Sequence, residues 1–192
     1  AQSNLALLLN DVDDTWNALP SLSVDLHPEL NNWPMHYRLP KILMGCSILG
    51  NPAYLAELRI DADKNKSIFI EDNCESLGAR TADGQLTGTF GDLSTFSFFY
   101  SHQLSAIEGG MVLTDDDELA RLCRLLANHG NAGFISQTEE FDRSYCFELM
   151  GYNVRGLELH AAVAREQLKQ LDNFVIEMNL ALVAERNYTI LE

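Results

Sequence analysis

Basic side chains are scarce in this chain of 192 residues. It has 13 lysines and arginines against 28 aspartates and glutamates, which gives a net charge of −15. That balance argues against nucleic acid and against a membrane surface as partners, because both carry negative charge. It does not exclude an anionic small molecule, since a local site can be positive on an acidic protein. Long apolar runs are missing as well, so the sequence predicts no transmembrane helix.

Cysteine is also sparse, and its spacing fits no metal site. The chain has four cysteines, Cys46, Cys74, Cys123 and Cys146, with no CxxC pair and no histidine at ligand spacing. We therefore predict no bound metal, reduced thiols and a cytoplasmic location. A chain of this length can bury one substantial core, so one domain is expected.

Short apolar segments separated by a helical pattern predict an α/β fold. The runs KILMGC (41–46) and SIFI (67–70) are typical of buried strands, and helical spacing lies between them from Pro52 to Asn65. Strand, helix and strand in this order predict a parallel pair. Ligands bind beyond the carboxyl ends of such strands, and Asp72 lies just past the second one.

The stretch Gly91 to Val112, GDLSTFSFFYSHQLSAIEGGMV, is the centre of the sequence. It predicts two strands joined by a polar loop that carries His102. The loop ends in the pair Gly109-Gly110, which permits close backbone approach. A histidine and a glycine pair in a loop between strands make this a candidate site.

Two helices are predicted in the second half of the chain. The first is capped by Asp116 or Asp117 and ends near Asn128. Its predicted apolar face contains Leu119, Leu122, Cys123 and Leu126. The second begins near Leu157, and apolar residues at 164, 168, 171, 175, 178 and 182 predict one continuous helical stripe.

Several motifs together resemble the DegT/DnrJ/EryC1/StrS sugar aminotransferase family of fold-type I, pyridoxal-phosphate enzymes. They are the strand ending in Glu71-Asp72, the run SFFYSH (97–102), the EGG of 108–110 and the GYNVR of 151–155. The family has its Schiff-base lysine where this chain has His102, a change that resembles the sugar 3-dehydratase branch. The resemblance implies a three-layer, mainly parallel sheet flanked by helices. Residues 1–172 would form the large cofactor domain, incomplete near its N-terminus. Residues 173–192 would begin the long helix that leads to a small C-terminal domain, which is absent.

The resemblance also implies roles for five cofactor-binding residues. Asp72 would pair with the pyridine nitrogen of pyridoxal phosphate, and Ser97 would bind the phosphate. Glu75, where the aminotransferases have glutamine, would hydrogen-bond the ring hydroxyl. Ser3 would lie in a phosphate-binding turn, and Asn153 would reach the phosphate of a neighbouring subunit. Each residue also has a purely structural interpretation: a strand-end acid, a helix-start acid, a helix cap, or a solvent-facing serine or asparagine.

His102 carries the functional prediction. An imidazole has no primary amine, so it cannot form the Schiff base that lysine forms, and the cofactor would be held without a covalent link. It can instead act as a base near neutral pH.

The resemblance implies a 3-dehydratase of a nucleotide-activated 4-keto-6-deoxyhexose, with GDP-4-keto-6-deoxymannose as the expected sugar, in deoxysugar or O-antigen biosynthesis. His102 would remove a proton from a pyridoxamine phosphate–sugar ketimine. L-glutamate would be the amino donor and the enzyme a homodimer.

Two alternatives remain open from the sequence, and a third is disfavoured by the cysteine spacing. One is an aminotransferase homologue that has lost its lysine, and another is a non-catalytic protein with the same fold. The third is a related iron–sulfur dehydratase that acts on a CDP-sugar. Its cysteines should cluster after the histidine, whereas Cys123 and Cys146 lie far apart.

Overall fold

The computed structural model describes residues 42–132, 145–177 and 180. The described elements are, in chain order, β1 (Ile42–Cys46), α1 (Leu55–Asn65), β2 (Ile68–Asp72), β3 (Leu93–Ser97), β4 (Gly110–Leu113), α2 (Asp117–Ala127) and α3 (Glu158–Leu168). Helical residues resume at 171–177 after a turn at 169–170.

The four strands form one mixed, mainly parallel sheet in the order β1-β2-β3-β4. The β1–β2 and β2–β3 pairs are parallel, and the β3–β4 pair is antiparallel. In the register of the parallel strands, Cys46 lies opposite Asp72, which in turn lies opposite Thr95. The carboxyl ends of β1, β2 and β3 therefore meet at one edge of the sheet. This confirms the predicted α/β fold with flanking helices.

Helix α1 covers one face of the sheet. The core on this face consists of Ala53, Leu55, Leu58, Ala62 and Phe69, with Leu43 and Phe90 packed against it. The helix lies so close to β1 that a Cβ added at Gly45 would stand 2.8 Å from Cδ1 of Leu58. A larger residue at this position would require the Leu58 side chain to shift.

Alternation along β2 sends its two terminal acids to opposite faces. Phe69 and Glu71 are fully buried, and Phe69 packs in the α1 core. Asp72 points to the other face, where its carboxylate contacts Thr95 of β3. Glu71 thus lies in the protein interior, and Asp72 lies half-buried at the carboxyl edge of the sheet.

The structure corrects several boundaries. Strand β2 runs to Asp72 rather than ending at Ile70, and helix α1 begins at Leu55 rather than near Pro52. Asp116 caps α2 as predicted, because its side chain accepts hydrogen bonds from the backbone N–H groups of Glu118 and Leu119. The predicted apolar face of α2 was wrong in part: Leu125 is fully buried, whereas Leu126 is 38% exposed.

The predicted stripe from 164 to 182 is not one continuous helix within the described residues, because α3 ends at Leu168. Val175, on the helical segment 171–177, packs against the loop after β2. A Cβ added at Gly78 would stand 2.8 Å from its Cγ2. The division at residue 172 and the start of a long interdomain helix stay predictions. No helix in the described ranges is both long and apolar enough to cross a bilayer.

Candidate functional site

Three loops meet at the carboxyl edge of the parallel strands, where backbone hydrogen bonds join them. The N–H of Ser47, just after β1, donates to the carbonyl of Asp72 at 2.9 Å, and the N–H of Asn73 donates to the carbonyl of Thr95 at 2.9 Å. The hydroxyl of Ser76 donates to the carbonyl of Ser47 at 2.7 Å. The ends of β1, β2 and β3 are therefore fixed relative to one another.

Asp72 is the central acid of this edge. Its Oδ1 accepts the backbone N–H of Cys74 at 3.1 Å and the hydroxyl of Thr95 at 3.3 Å. Strand register places Thr95 directly beside Asp72, so the parallel pairing itself supplies one donor. The carboxylate is half-buried and thus reachable from solvent.

Burial and the neighbouring acids keep both nearby thiols protonated. The pKa of Cys74 is raised to about 11, first by burial and then by the charge of Asp72, the hydrogen bond to it, and the charges of Cys46 and Glu75. The pKa of Cys46 is raised by burial and then by the charges of Asp72 and Glu75. Because the thiolate is the nucleophilic form, neither group is poised for covalent chemistry near neutral pH.

We expect iodoacetamide to alkylate Cys74 at pH 8 far more slowly than it alkylates N-acetylcysteine, whose thiol has a pKa of about 8.5. The rate should rise with pH toward a midpoint near 11, the pKa of Cys74. Because the folded pKa lies above the unfolded value, the protonated thiol contributes stability below about pH 8.5, and that contribution is lost as the pH approaches the folded pKa.

Peptide mass spectrometry after timed alkylation measures the rate at which Cys74 reacts at each pH. The same measurement on the Asp72→Asn variant shows how much the Asp72 charge contributes. Removing the Asp72 charge should lower the midpoint, although burial keeps it above that of the free thiol. Alkylation of Cys74 at pH 8 as fast as that of N-acetylcysteine would contradict the assignment.

Glu71, the other acid of β2, is a fully buried anchor. Its Oε1 accepts from the N–H groups of Phe90 and Gly91 at 2.7 and 2.6 Å and from the hydroxyl of Ser94 at 3.0 Å. Its Oε2 accepts from the N–H of Gly88 at 2.7 Å and the amide of Asn73 at 3.2 Å. These donors satisfy a buried charge and hold the turn before β3 against β2.

Ser97 and His102 lie at the end of β3 and in the loop that follows it. Ser97 Oγ accepts the backbone N–H of Phe99 at 3.1 Å, which leaves its own hydroxyl proton available to a ligand. The His102 imidazole stacks edge-on against the Phe99 ring at a centroid distance of 5.6 Å. Its Nδ1 is buried and has no hydrogen-bond partner among the described residues. Ser97 ends β3 and His102 follows it, at the same edge of the sheet as Asp72.

The other predicted residues take different positions. The Glu75 carboxylate accepts the N–H of Leu49 at 2.8 Å, so it ties the loop after β1 to the loop after β2. Asn153 is exposed. Its side-chain oxygen accepts from Arg155 Nε at 3.1 Å, and its backbone bridges to Asn128 at the end of α2. Ser3 lies outside the described residues.

Two residues of this edge were given no role from the sequence. Glu71 could have been found from alternation, because a residue two positions after buried Phe69 faces the same way. Gln103 is only 8% exposed, and its side-chain amide donates to the backbone carbonyl of Glu75. No local pattern predicts that contact, which joins residues 28 positions apart.

The sequence profile of the DegT/DnrJ/EryC1/StrS aminotransferase family matches residues 36–182. GDP-4-keto-6-deoxy-D-mannose 3-dehydratase of Escherichia coli O55:H7 is 38% identical over 144 residues, which are 70% of this chain and 37% of the relative. The enzyme of the same name from Yersinia pseudotuberculosis is 39% identical over 145 residues, 70% of this chain and 36% of the relative. This chain therefore spans little more than a third of the length of these relatives.

Solved structures agree with these sequence matches. The E. coli GDP-4-keto-6-deoxy-D-mannose 3-dehydratase with bound hydrated PLP superimposes with a TM-score of 0.68 at 32% identity, covering 85% of this chain and 42% of that one. A family aminotransferase from Brucella abortus gives a TM-score of 0.72 at 26% identity, covering 86% and 42%. The chain belongs to the DegT/DnrJ/EryC1/StrS aminotransferase family.

Proposed function

We propose that the intact protein is a pyridoxal-phosphate-dependent 3-dehydratase of a nucleotide-activated 4-keto-6-deoxyhexose, with GDP-4-keto-6-deoxymannose as the substrate. The observation that carries this proposal is His102 in the loop after β3, where the aminotransferases of the family are expected to carry lysine. The two 3-dehydratases at 38% and 39% identity support the same reaction.

The residues at the carboxyl edge fit the cofactor. A carboxylate has about four acceptor positions. Thr95 and the N–H of Cys74 donate to Oδ1 of Asp72, so acceptor positions remain for a protonated ring nitrogen. The Ser97 hydroxyl can donate to a phosphate oxygen. The Glu75 carboxylate already accepts the N–H of Leu49. It could accept from the hydroxyl of the cofactor ring either in addition to this hydrogen bond or after losing it. When bound, the cofactor supplies an amine that condenses with the C4 ketone and a ring that accepts electrons as the C3 hydroxyl leaves.

The chain's own contribution centres on proton transfer and placement. We assign His102 as the general base. One nitrogen of its imidazole would accept the proton that is released from the carbon next to the cofactor amine. Asp72 holds the ring nitrogen in its protonated form, which favours electron withdrawal. Since His102 has no primary amine, no side chain at this position displaces the product before the C3 hydroxyl has left.

An aminotransferase is the second candidate, because family relatives include the GDP-perosamine synthase of Vibrio cholerae at 33% identity over 135 residues. His102 disfavours it, since transamination of this kind uses a lysine amine. A non-catalytic role would leave Asp72, Ser97 and His102 without a ligand.

The test is an assay of the intact protein with a panel of nucleotide 4-keto sugars, PLP and L-glutamate, which we propose as the amino donor. We expect a 3-deoxy sugar and consumption of glutamate, detected by mass spectrometry, with the fastest turnover on the GDP sugar. An amino sugar as the sole product would favour the aminotransferase. No product and no cofactor absorbance would favour a non-catalytic protein.

We also propose that the intact protein is a two-fold symmetric homodimer. An exposed apolar surface supports this: Tyr145, Met150, Tyr152, Val154, Leu157 and Leu159 are each at least 60% exposed. All six lie between residues 145 and 159, and apolar groups that gather in one exposed patch are typical of an interaction surface. Sedimentation equilibrium of the cofactor-loaded protein should give twice the chain mass, and an active monomer at all concentrations would contradict the proposal.

A further inference from the structure

The loop that carries His102 is closed at its base. The N–H of Phe98 donates to the carbonyl of Gly109 at 2.9 Å, and the N–H of Ala106 donates back to the carbonyl of Phe98 at 2.8 Å. At the tip, Tyr100 is 69% exposed. Within the loop, the N–H of His102 donates to the carbonyl of Phe99 at 3.1 Å, and Leu104 is buried. A hydrogen bond from this loop to a neighbouring loop would further define where His102 stands relative to the strand edge.

Gln103 makes such a contact. It directly follows His102 and is 8% exposed, so its amide needs a partner. Its Nε2 donates to the backbone carbonyl of Glu75, while its Oε1 has no partner among the described residues. The orientation of the amide is determined, since the flipped form would place two acceptor oxygens against each other.

The acceptor belongs to the cofactor-facing loop. Glu75 lies three residues after Asp72, and its carboxylate in turn holds the N–H of Leu49 at 2.8 Å. Leu49 has a left-handed backbone with φ of 53°, a conformation that is unfavourable for a residue other than glycine. A chain of contacts from Gln103 through Glu75 to Leu49 thus joins the loops after β3, β2 and β1.

We propose that Gln103 is a positioning residue that sets the distance between His102 and the molecule held by Asp72. The proposal rests on the function proposed above, in which His102 and Asp72 act on the same bound cofactor. If the hydrogen bond from the Gln103 amide to Glu75 is lost, the His102 loop can shift while the hydrogen bonds at its base remain. A displacement of about 1 Å is enough to slow a positioned reaction by roughly 10²-fold.

The first test uses the intact protein with Gln103→Met, which keeps the length of the side chain and removes the donor. We expect kcat to fall by roughly 10- to 100-fold with KM changed by less than about threefold, because placement of the base and not binding is altered. Gln103→Asn keeps the amide but shortens its reach, and it should be impaired to a similar degree. The matched control is Gln85→Met. Gln85 is exposed and donates to Asp83 at 2.6 Å in a surface turn, so this variant should keep the parent rate.

The second test does not depend on turnover. In a His102→Lys background the new amine can condense with the aldehyde of added PLP, with loss of water, and borohydride reduces the resulting C=N bond to a stable secondary amine that raises the mass of the protein. The rate of this mass increase reports how well residue 102 faces the cofactor. We expect Gln103→Met in the same background to slow trapping about tenfold or more, and Gln85→Met to leave it unchanged.

The outcomes separate the two proposals. If His102→Lys alone traps no PLP at residue 102, the proposed site itself is wrong. If it traps PLP and the added Gln103→Met change leaves the trapping rate within about twofold, the positioning role of Gln103 is overturned. Should Gln103→Met fail to fold by circular dichroism, Gln103→Asn decides by the same two measurements.

Discussion

Replacing His102 with asparagine is expected to slow dehydration by a factor on the order of 10² to 10⁴, the usual contribution of a general base. Asparagine keeps a polar group of similar size but cannot accept a proton near neutral pH. The Asp72 and Ser97 contacts do not involve the imidazole, so PLP should bind with nearly unchanged affinity. The effect should therefore appear in kcat rather than in cofactor occupancy.

Product analysis by mass spectrometry, with occupancy followed by PLP absorbance, measures both quantities. His129→Asn is the matched control, because His129 is exposed and lies in a turn beyond α2 with φ of 60°, a conformation that asparagine tolerates. A His102→Asn protein that dehydrates the sugar at the parent rate would show that His102 is not the base. Low activity together with lost cofactor would instead indicate a binding role.

His102→Lys should have a different effect from His102→Asn. It restores a primary amine, so PLP can become covalently linked and its absorbance should move to the band of a protonated Schiff base. Dehydration should fall, and amino sugar should appear among the products. Absorbance unchanged from the parent would mean that residue 102 does not face the aldehyde, which contradicts the placement on which the dehydratase proposal depends.

The sequence predicted the parts of the fold that local pattern determines. The β1–α1–β2 unit follows from apolar spacing, and the Asp116 cap follows from a single acidic side chain before an apolar run. The boundary of β2 was placed two residues early because two consecutive acids are typical of a loop. Inside the sheet each acid is satisfied separately: Glu71 by buried donors and Asp72 by Thr95 and Cys74.

The candidate site was predicted only at its motif positions. Asp72, Ser97 and His102 lie at the edge that strand order predicts, because each follows or ends a parallel strand. The links between loops were beyond sequence reasoning. The contact of Gln103 with Glu75 spans 28 positions, and that of Glu75 with Leu49 spans 26. Only the folded register decides which loop atoms face one another.

Glu71→Gln is expected to lower the free energy of unfolding by about 3 kcal/mol, because it disturbs a buried, hydrogen-bonded charge. The new NH2 group must replace one of two acceptor oxygens, and both already accept donors. Placing the NH2 group at the Oε2 position costs less, because the Asn73 amide can flip there and accept a hydrogen bond from it. The N–H of Gly88, now 2.7 Å from Oε2, would still face an NH2 group and lose its partner.

Urea unfolding of the intact protein, followed by tryptophan fluorescence, measures the loss. Glu57→Gln is the matched control, because Glu57 is exposed in the first turn of α1, and its change should stay within about 0.5 kcal/mol. Equal unfolding midpoints for the two variants would mean that the Glu71 carboxylate does not hold the turn. Gly88 itself has a left-handed φ of 91°, and an added Cβ would stand 2.5 Å from the Phe96 ring. The turn thus depends on both the bare glycine and the charged acceptor. If Glu71→Gln loosens it, the Gly88–Gly91 amides should exchange hydrogen faster while the amides of α2 keep the parent rate.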